Sequence, residues 1–236
     1  MEYPGELRRG RLLRRYKRFL ADVECDDGEH LTAHCPNTGS MLGCAEPGQA
    51  VWLSHSTRPG RKYAWTWEQV AVADGVRVGI HTGRTNDVVA DALAAGWFPE
   101  LGDTARLRRE VGVPDEPMRA DFLVTDSDGT ERFVEAKNVT AAVTDGVALF
   151  PDAVSTRGTR HLEVLSRLAR AGLRPSLIFC VQRTDVTEVR PADDIDPDYG
   201  RALRAAIADG VGVYAFTAAP GDHAIEPARR VPVICP

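Results

Sequence analysis

The chain has 236 residues, 43% of them hydrophobic and 27% charged, with a formal net charge of −5. That length and balance fit one large or two small globular domains, and no apolar run approaches the roughly 20 residues that span a bilayer. The first twenty residues, MEYPGELRRGRLLRRYKRFL, contain no apolar segment of the kind a secretory signal needs. A cytoplasmic protein with no membrane partner is therefore expected. Five cysteines, an odd number with no C-x-x-C pair, argue against a disulfide framework and an ordinary zinc cluster.

The charge is unevenly spread. Residues 1–80 carry a balance of +1 and the remainder −6. Within the first part Arg8, Arg9, Arg11, Arg14, Arg15, Lys17 and Arg18 form a basic run without an acid. Tyr16 and Phe19 interleave with it, a mixture that can track a phosphate backbone and stack a base. Phe19 reads better as core, and Tyr16 serves either role.

Residues 1–80 read as all-β. Short β-prone pieces at Arg11–Val23, Leu31–His34, Ala50–Ser56, Tyr63–Val72 and Arg77–Ile80 alternate with turn signals such as Pro36-Asn37-Thr38-Gly39 and Pro59-Gly60. Five short strands predict a small barrel of the OB type, with an SH3-like barrel as the alternative. In the turn Asn37-Thr38-Gly39-Ser40, Gly39 is expected to supply a positive φ, and the turn's N–H groups could face a phosphate. Arg61, Lys62 and Tyr63 form a second basic-aromatic cluster.

Beyond residue 80 the pattern changes. Asn86–Ala95, Thr159–Ala171 and Asp198–Asp209 have helical periodicity, each followed by glycine. Arg106–Val113, the strands around residues 126–130, the continuous apolar run Ser176–Gln182 and Val211–Thr217 read as strands, and Ala218–Pro236 as loop. The resulting order is a mixed sheet flanked by helices, giving an α/β (α+β overall) protein with domains at 1–80 and 81–236.

The sharpest chemistry lies in Arg119-Ala-Asp-Phe-Leu-Val-Thr125 and Arg132-Phe-Val-Glu-Ala-Lys-Asn-Val139. Period-two alternation puts Glu135 and Lys137 on one face. A turn over residues 126–130 would pair Val124 with Arg132 and set Asp121 opposite Glu135, whereas a two-residue Asp128-Gly129 turn would set it against Ala136. Opposed carboxylates repel unless a proton or cation lies between them. Mg²⁺ (or Mn²⁺) with Lys137 alongside would suit phosphodiester hydrolysis. Glu110 is either a further acidic ligand or an ion-pair partner of Arg108 or Arg109. Arg119 either neutralises a phosphate or caps its strand. The polar stretch Phe150–His161, with Arg157, Arg160 and His161, leads into a helix start and could grip a phosphate.

These segments, with His34-Cys-Pro-Asn-Thr-Gly-Ser-Met-Leu-Gly43, Phe150-Pro-Asp-Ala-Val-Ser-Thr-Arg-Gly158 and Asp196-Pro-Asp-Tyr199, resemble the sugar fermentation stimulation protein A family along nearly the whole chain. The resemblance implies an OB-like domain followed by one similar to the PD-(D/E)xK nucleases. It further implies sequence-nonspecific binding of single- or double-stranded DNA and a link to regulation of sugar metabolism. By that resemblance Asp121 and Glu135 hold the metal, the Ala136 carbonyl adds a ligand, and Lys137 serves the attacking water. The chain departs from the family in reading His81 where Asn is usual, Thr85 where Pro is usual, and Ala136 where Val is usual. Oligomeric state is not legible, and a DNA-binding protein without catalysis is the competing reading.

Overall fold

The computed structural model describes residues 1–140 and 146–236. Its first unit is built from β1 (Arg8–Tyr16), β2 (Leu20–Cys25), β3 (His30–His34), β4 (Ala50–His55), β5 (Trp65–Ala71) and β6 (Arg77–Gly79). The strands run in the order β3-β2-β1-β4-β5, and a parallel pairing of His34 with Thr66 joins β3 to β5, closing a five-stranded barrel. β6 lengthens the sheet beside β5. The expected OB-type barrel is thus present, with one correction. The piece read as Arg11–Val23 is two strands, reversed at Lys17-Arg18-Phe19. Leu12, Val23, Val51, Leu53, Trp67 and Val70 fill the interior with no exposed surface.

The second unit contains α1 (Thr85–Ala94), β7 (Arg106–Gly112), β8 (Arg119–Thr125), β9 (Glu131–Val139), β10 (Val147–Phe150) and α2 (Thr156–Arg170). It continues with β11 (Ser176–Val181), β12 (Glu188–Pro191), α3 (Pro197–Ala208), β13 (Gly212–Pro220) and β14 (Ile225–Val231). A six-stranded mixed sheet runs β14-β13-β11-β9-β8-β7, with β9, β11 and β13 parallel at its centre. β11 is buried at every residue, as a strand covered on both faces must be. One face packs α2 and α3 through Leu162, Leu165, Leu203 and Phe179. The other packs α1 through Val88, Val89 and Leu93 against Phe122, Val134 and Ile178. β10 and β12 form a separate parallel pair.

The segment Ala218–Pro236, expected as loop, instead carries β14 at the sheet edge. Pro227 lacks an N–H, which an edge strand tolerates, and the register shifts between Thr217 and Ala218 opposite it. No helix among the described residues is long and apolar enough to cross a membrane.

Polar contacts seat the barrel on the second unit. Gly79 N–H donates to the Gln182 carbonyl (2.8 Å). Buried Gln69 donates to the Tyr3 hydroxyl (2.7 Å) and the Gly221 carbonyl (2.6 Å). The first residues belong with the second unit, since Tyr3 N–H donates to the His223 carbonyl at 2.9 Å. His81 accepts from Gly83 N–H at 3.1 Å and so caps the short turn Thr82–Arg84. An imidazole nitrogen performs there the task an asparagine oxygen could. In the same corner Glu68, fully buried, accepts from Ser54 (2.6 Å) and from both Nε and an Nη of Arg84 (3.1 and 2.7 Å).

Candidate active site

The β8–β9 hairpin decides the geometry. Asp126 N–H bonds the Thr130 carbonyl at 3.1 Å, and Thr125 pairs with Glu131, so the turn spans residues 126–130. The pairs Val124–Arg132 and Phe122–Val134 follow, and the same register brings Asp121 opposite Glu135. The two-residue turn is not formed.

At this end the strands part, and the Asp121 side chain takes the place of the next ladder bond. Its Oδ2 accepts from Ala136 N–H (2.8 Å) and its Oδ1 from the Asn86 amide at the start of α1 (2.9 Å). Since the N–H and C=O of one strand residue point to the same edge, the Ala136 carbonyl faces this gap too. Burial and the neighbouring Glu135 push the Asp121 carboxyl above its ordinary range, outweighing its two hydrogen bonds.

Glu135 is held differently. Its Oε1 accepts from Lys137 Nζ at 2.5 Å and faces His161 Nδ1 at 2.6 Å, while Oε2 is buried without a hydrogen-bond partner. Burial raises the carboxyl, but His161 and Lys137 together outweigh it and hold it below its usual range. Arg157 Nε donates to His161 Nε2 at 3.3 Å. A guanidinium only donates, so Nε2 carries the lone pair and Nδ1 the hydrogen that Glu135 accepts. Tyr199, in the first turn of α3, is fully buried with its hydroxyl unpartnered. Burial, and next the Glu135 charge, push it far above its usual range.

His161 was expected at a phosphate; the structure makes it the orienting partner of Glu135. Asn86 and Tyr199 were not expected at the site. Each comes from a helix distant in sequence, and only the asparagine that opens the Asn86–Ala95 periodicity hinted at a terminal contact.

The stretch Phe150–His161 is helical from Thr156, and Ser155 Oγ accepts from Gly158 N–H at 3.1 Å. The hydroxyl cap, not a phosphate, thus occupies that N–H. The side chains of Arg157 and Arg160 remain exposed. With Arg119, Met118, His161 and Val164 they line a groove of about 540 Å³, and the His161 of its wall is bonded to Glu135. Arg119 also donates to the Glu110 carbonyl at 2.6 Å. The strand register carries Glu110 opposite Asp121, but its left-handed backbone (φ 53°) interrupts that pair and its side chain is exposed. Neither expected ion pair forms at Glu110, and Arg109 binds Asp87 instead.

In the barrel, Arg15 donates to the carbonyls of Asn37 and Gly39, each at 3.0 Å, and Arg18 doubly to that of Thr38 (3.1 and 2.8 Å). The Asn37–Ser40 turn abuts the second unit while Thr38 and Ser40 stay exposed: Asn37 is buried, and Ser40 Oγ donates to the Asp152 carbonyl at 3.0 Å. Gly39 does not have a positive φ; Met41 does. Glycine is needed at 39 because a Cβ would lie 2.5 Å from Asp152 Oδ2. Arg14 pairs with Asp22 at 2.7 Å and lies over the Tyr16 ring at 4.8 Å. Arg61 donates to Thr66 at 2.6 Å, and Lys62 lies over Tyr63 at 5.5 Å.

Among the described residues no group of three or more Asp, Glu, His or Cys side chains forms a complete metal centre. Two carboxylates with a main-chain carbonyl still suit Mg²⁺, which keeps several waters and takes one or two carboxylates plus substrate phosphate. The unpartnered Glu135 Oε2 beside Asp121 is the observation that fits a cation.

A closed OB barrel joined to a mixed sheet that carries two carboxylates and a lysine on adjacent strands defines the class. The family model for the SfsA N-terminal OB domain matches residues 13–80, and that for the sugar fermentation stimulation protein RE domain matches residues 83–223. The chain belongs to the sugar fermentation stimulation protein family. A homolog from Alkalilimnicola ehrlichii is 61% identical over 238 residues, covering 100% of both chains. One from Halorhodospira halophila is 60% identical, covering 99% of this chain and 98% of the other. The structure of Pyrococcus furiosus SfsA in complex with Ca²⁺ aligns with a TM-score of 0.87 and 26% identity, covering 99% and 98% of the two chains.

Proposed function

We propose that this protein binds DNA and hydrolyses its phosphodiester bonds with a divalent cation, Mg²⁺ or Mn²⁺, held by Asp121, Glu135 and the Ala136 carbonyl. The observation that carries this reading is the buried, unpartnered Glu135 Oε2 next to a carboxyl that burial and charge have destabilised. A relative solved with Ca²⁺, another oxygen-seeking cation, supports it. When bound, such a cation polarises the phosphate and lowers the pKa of its water.

The protein's own groups do the rest. Asn86 and the Ala136 N–H fix Asp121. His161 and Lys137 hold Glu135 Oε1, leaving Oε2 for the cation. The Lys137 ammonium positions the attacking water and stabilises charge on the phosphate. Arg119, Arg157 and Arg160 hold the strand in the groove beside the site. Glu110 is exposed near this edge and supplies a further acidic oxygen once a substrate is bound. On this reading the protein is cytoplasmic, and the family's link to sugar utilisation would act through that DNA.

One observation favours a second reading, DNA binding without turnover. The Lys137–Glu135 and His161–Glu135 pairs already satisfy one carboxylate oxygen, as a purely structural ion network would. Cleavage of labelled single- and double-stranded DNA with Mg²⁺, Mn²⁺ or EDTA separates the two. Metal-dependent cutting abolished in Asp121→Ala and Lys137→Ala is expected; salt-sensitive binding without cutting establishes the second reading.

A further inference from the structure

The three-residue turn that joins β1 to β2 bears a set of features that the active site does not use. Phe19, read from the sequence as core, is 44% exposed. Lys17 and Arg18 both have left-handed backbones (φ 50° and 65°), a conformation that costs an ordinary side chain energy and that glycine or asparagine would adopt more cheaply. The turn is nevertheless rigid. The Phe19 carbonyl accepts from Cys35 N–H (2.8 Å) and the Arg18 carbonyl from Arg15 (2.9 Å), while Arg18 itself grips the Thr38 carbonyl.

The electrostatics are equally specific. Arg14 is neutralised by Asp22. Arg15 and Arg18 bond carbonyl oxygens rather than carboxylates, so their charge persists, and Lys17 is exposed beside them. Tyr16 is half-buried, has Arg14 over one ring face and donates to Asp22 (3.2 Å), so it is less open than Phe19. Phe19 is therefore the accessible aromatic of a rigid, cationic tip, held against the Asn37–Gly39 turn that faces the second unit.

Resting on the DNA-binding reading above, we infer that this tip is a wedge that stacks an unpaired nucleobase on Phe19 while Arg15, Lys17 and Arg18 attract the flanking phosphates. The substrate class is thereby single-stranded or locally unpaired DNA. A paired base in a duplex presents no free face to the ring, whereas an unpaired base does.

The test compares binding of labelled oligodeoxythymidine and of a fully paired duplex in EDTA, using the wild-type chain, Phe19→Ala and Phe19→Trp. Stacking predicts that Phe19→Ala weakens single-strand binding about 5- to 150-fold. Duplex binding should change less than about twofold, and Phe19→Trp should retain single-strand affinity. Equal losses on both ligands, or none in a chain that binds single strands, overturn the wedge. A wild-type chain that binds neither ligand overturns the DNA-binding reading and the wedge with it.

Discussion

Glu135 has two oxygens in different circumstances, and that asymmetry organises the residue scale. His161 and Lys137 occupy one; the other is free and buried. Removing an orienting partner of a metal-binding group commonly costs 10- to 100-fold. His161→Ala is expected to lower metal-dependent cleavage by about that factor while DNA affinity in EDTA changes little. Equal loss of affinity would instead make His161 a strand-binding residue. A second residue-scale prediction concerns Glu68. Arg84→Ala leaves that carboxylate buried without its cation, which is expected to cost about 3–5 kcal/mol in chemical denaturation. Adding Glu68→Gln to Arg84→Ala should recover much of the loss. Asp121, Glu135 and Lys137 were legible in the sequence because period two and turn length set their register. His161 was legible as a site residue but not as the partner of Glu135, and Asn86 and Tyr199 were not legible at the site, since helix packing brings them there.

At the scale of elements, β8 and β9 depend on the turn that joins them. Asp126 Oδ1 accepts from Asp128 and Thr130 N–H (3.1 and 2.8 Å), and Oδ2 from Arg132 at 2.6 Å. Arg132, foremost, holds this carboxyl below its usual range. Its stabilisation is therefore fully present above the unfolded carboxylate's range, near pH 4, and is lost as pH falls through the lower folded value. Asp126→Asn should be less stable than wild type at neutral pH, with the gap narrowing on acidification; a constant gap would contradict the ion pair. The same scale shows where sequence patterns fail. β1 and β2 read as one strand because Lys17 and Arg18 give no turn signal while adopting turn backbones. β14 was hidden by Pro227 and by the exposed Arg229 and Arg230 of an edge strand. β10 and β12, four residues each, are too short for periodicity to register.

The whole molecule places a globally acidic chain around local cationic surfaces: the β1–β2 tip on the barrel and the Arg119–Arg157–Arg160 groove on the second unit. Contacts to phosphate release counterions, so affinity falls as salt rises. Replacing Arg157 and Arg160 together with alanine is expected to lower the slope of log affinity against log salt by about 2 for duplex DNA. An unchanged slope would remove the groove from the strand's path. The two-unit architecture was legible from the change in texture near residue 80. The seating of Met1–Tyr3 on the far unit was not, because a short terminal segment has no pattern of its own.

Hydrolysis by this site requires a cation at Asp121 and Glu135. The most direct test is calorimetric titration of Mn²⁺ and Ca²⁺ into the wild-type chain, Asp121→Asn and His161→Ala. Saturable binding in the wild type, abolished by Asp121→Asn and weakened by His161→Ala, is the predicted result. Binding that survives Asp121→Asn, or no binding in the wild type, would contradict it.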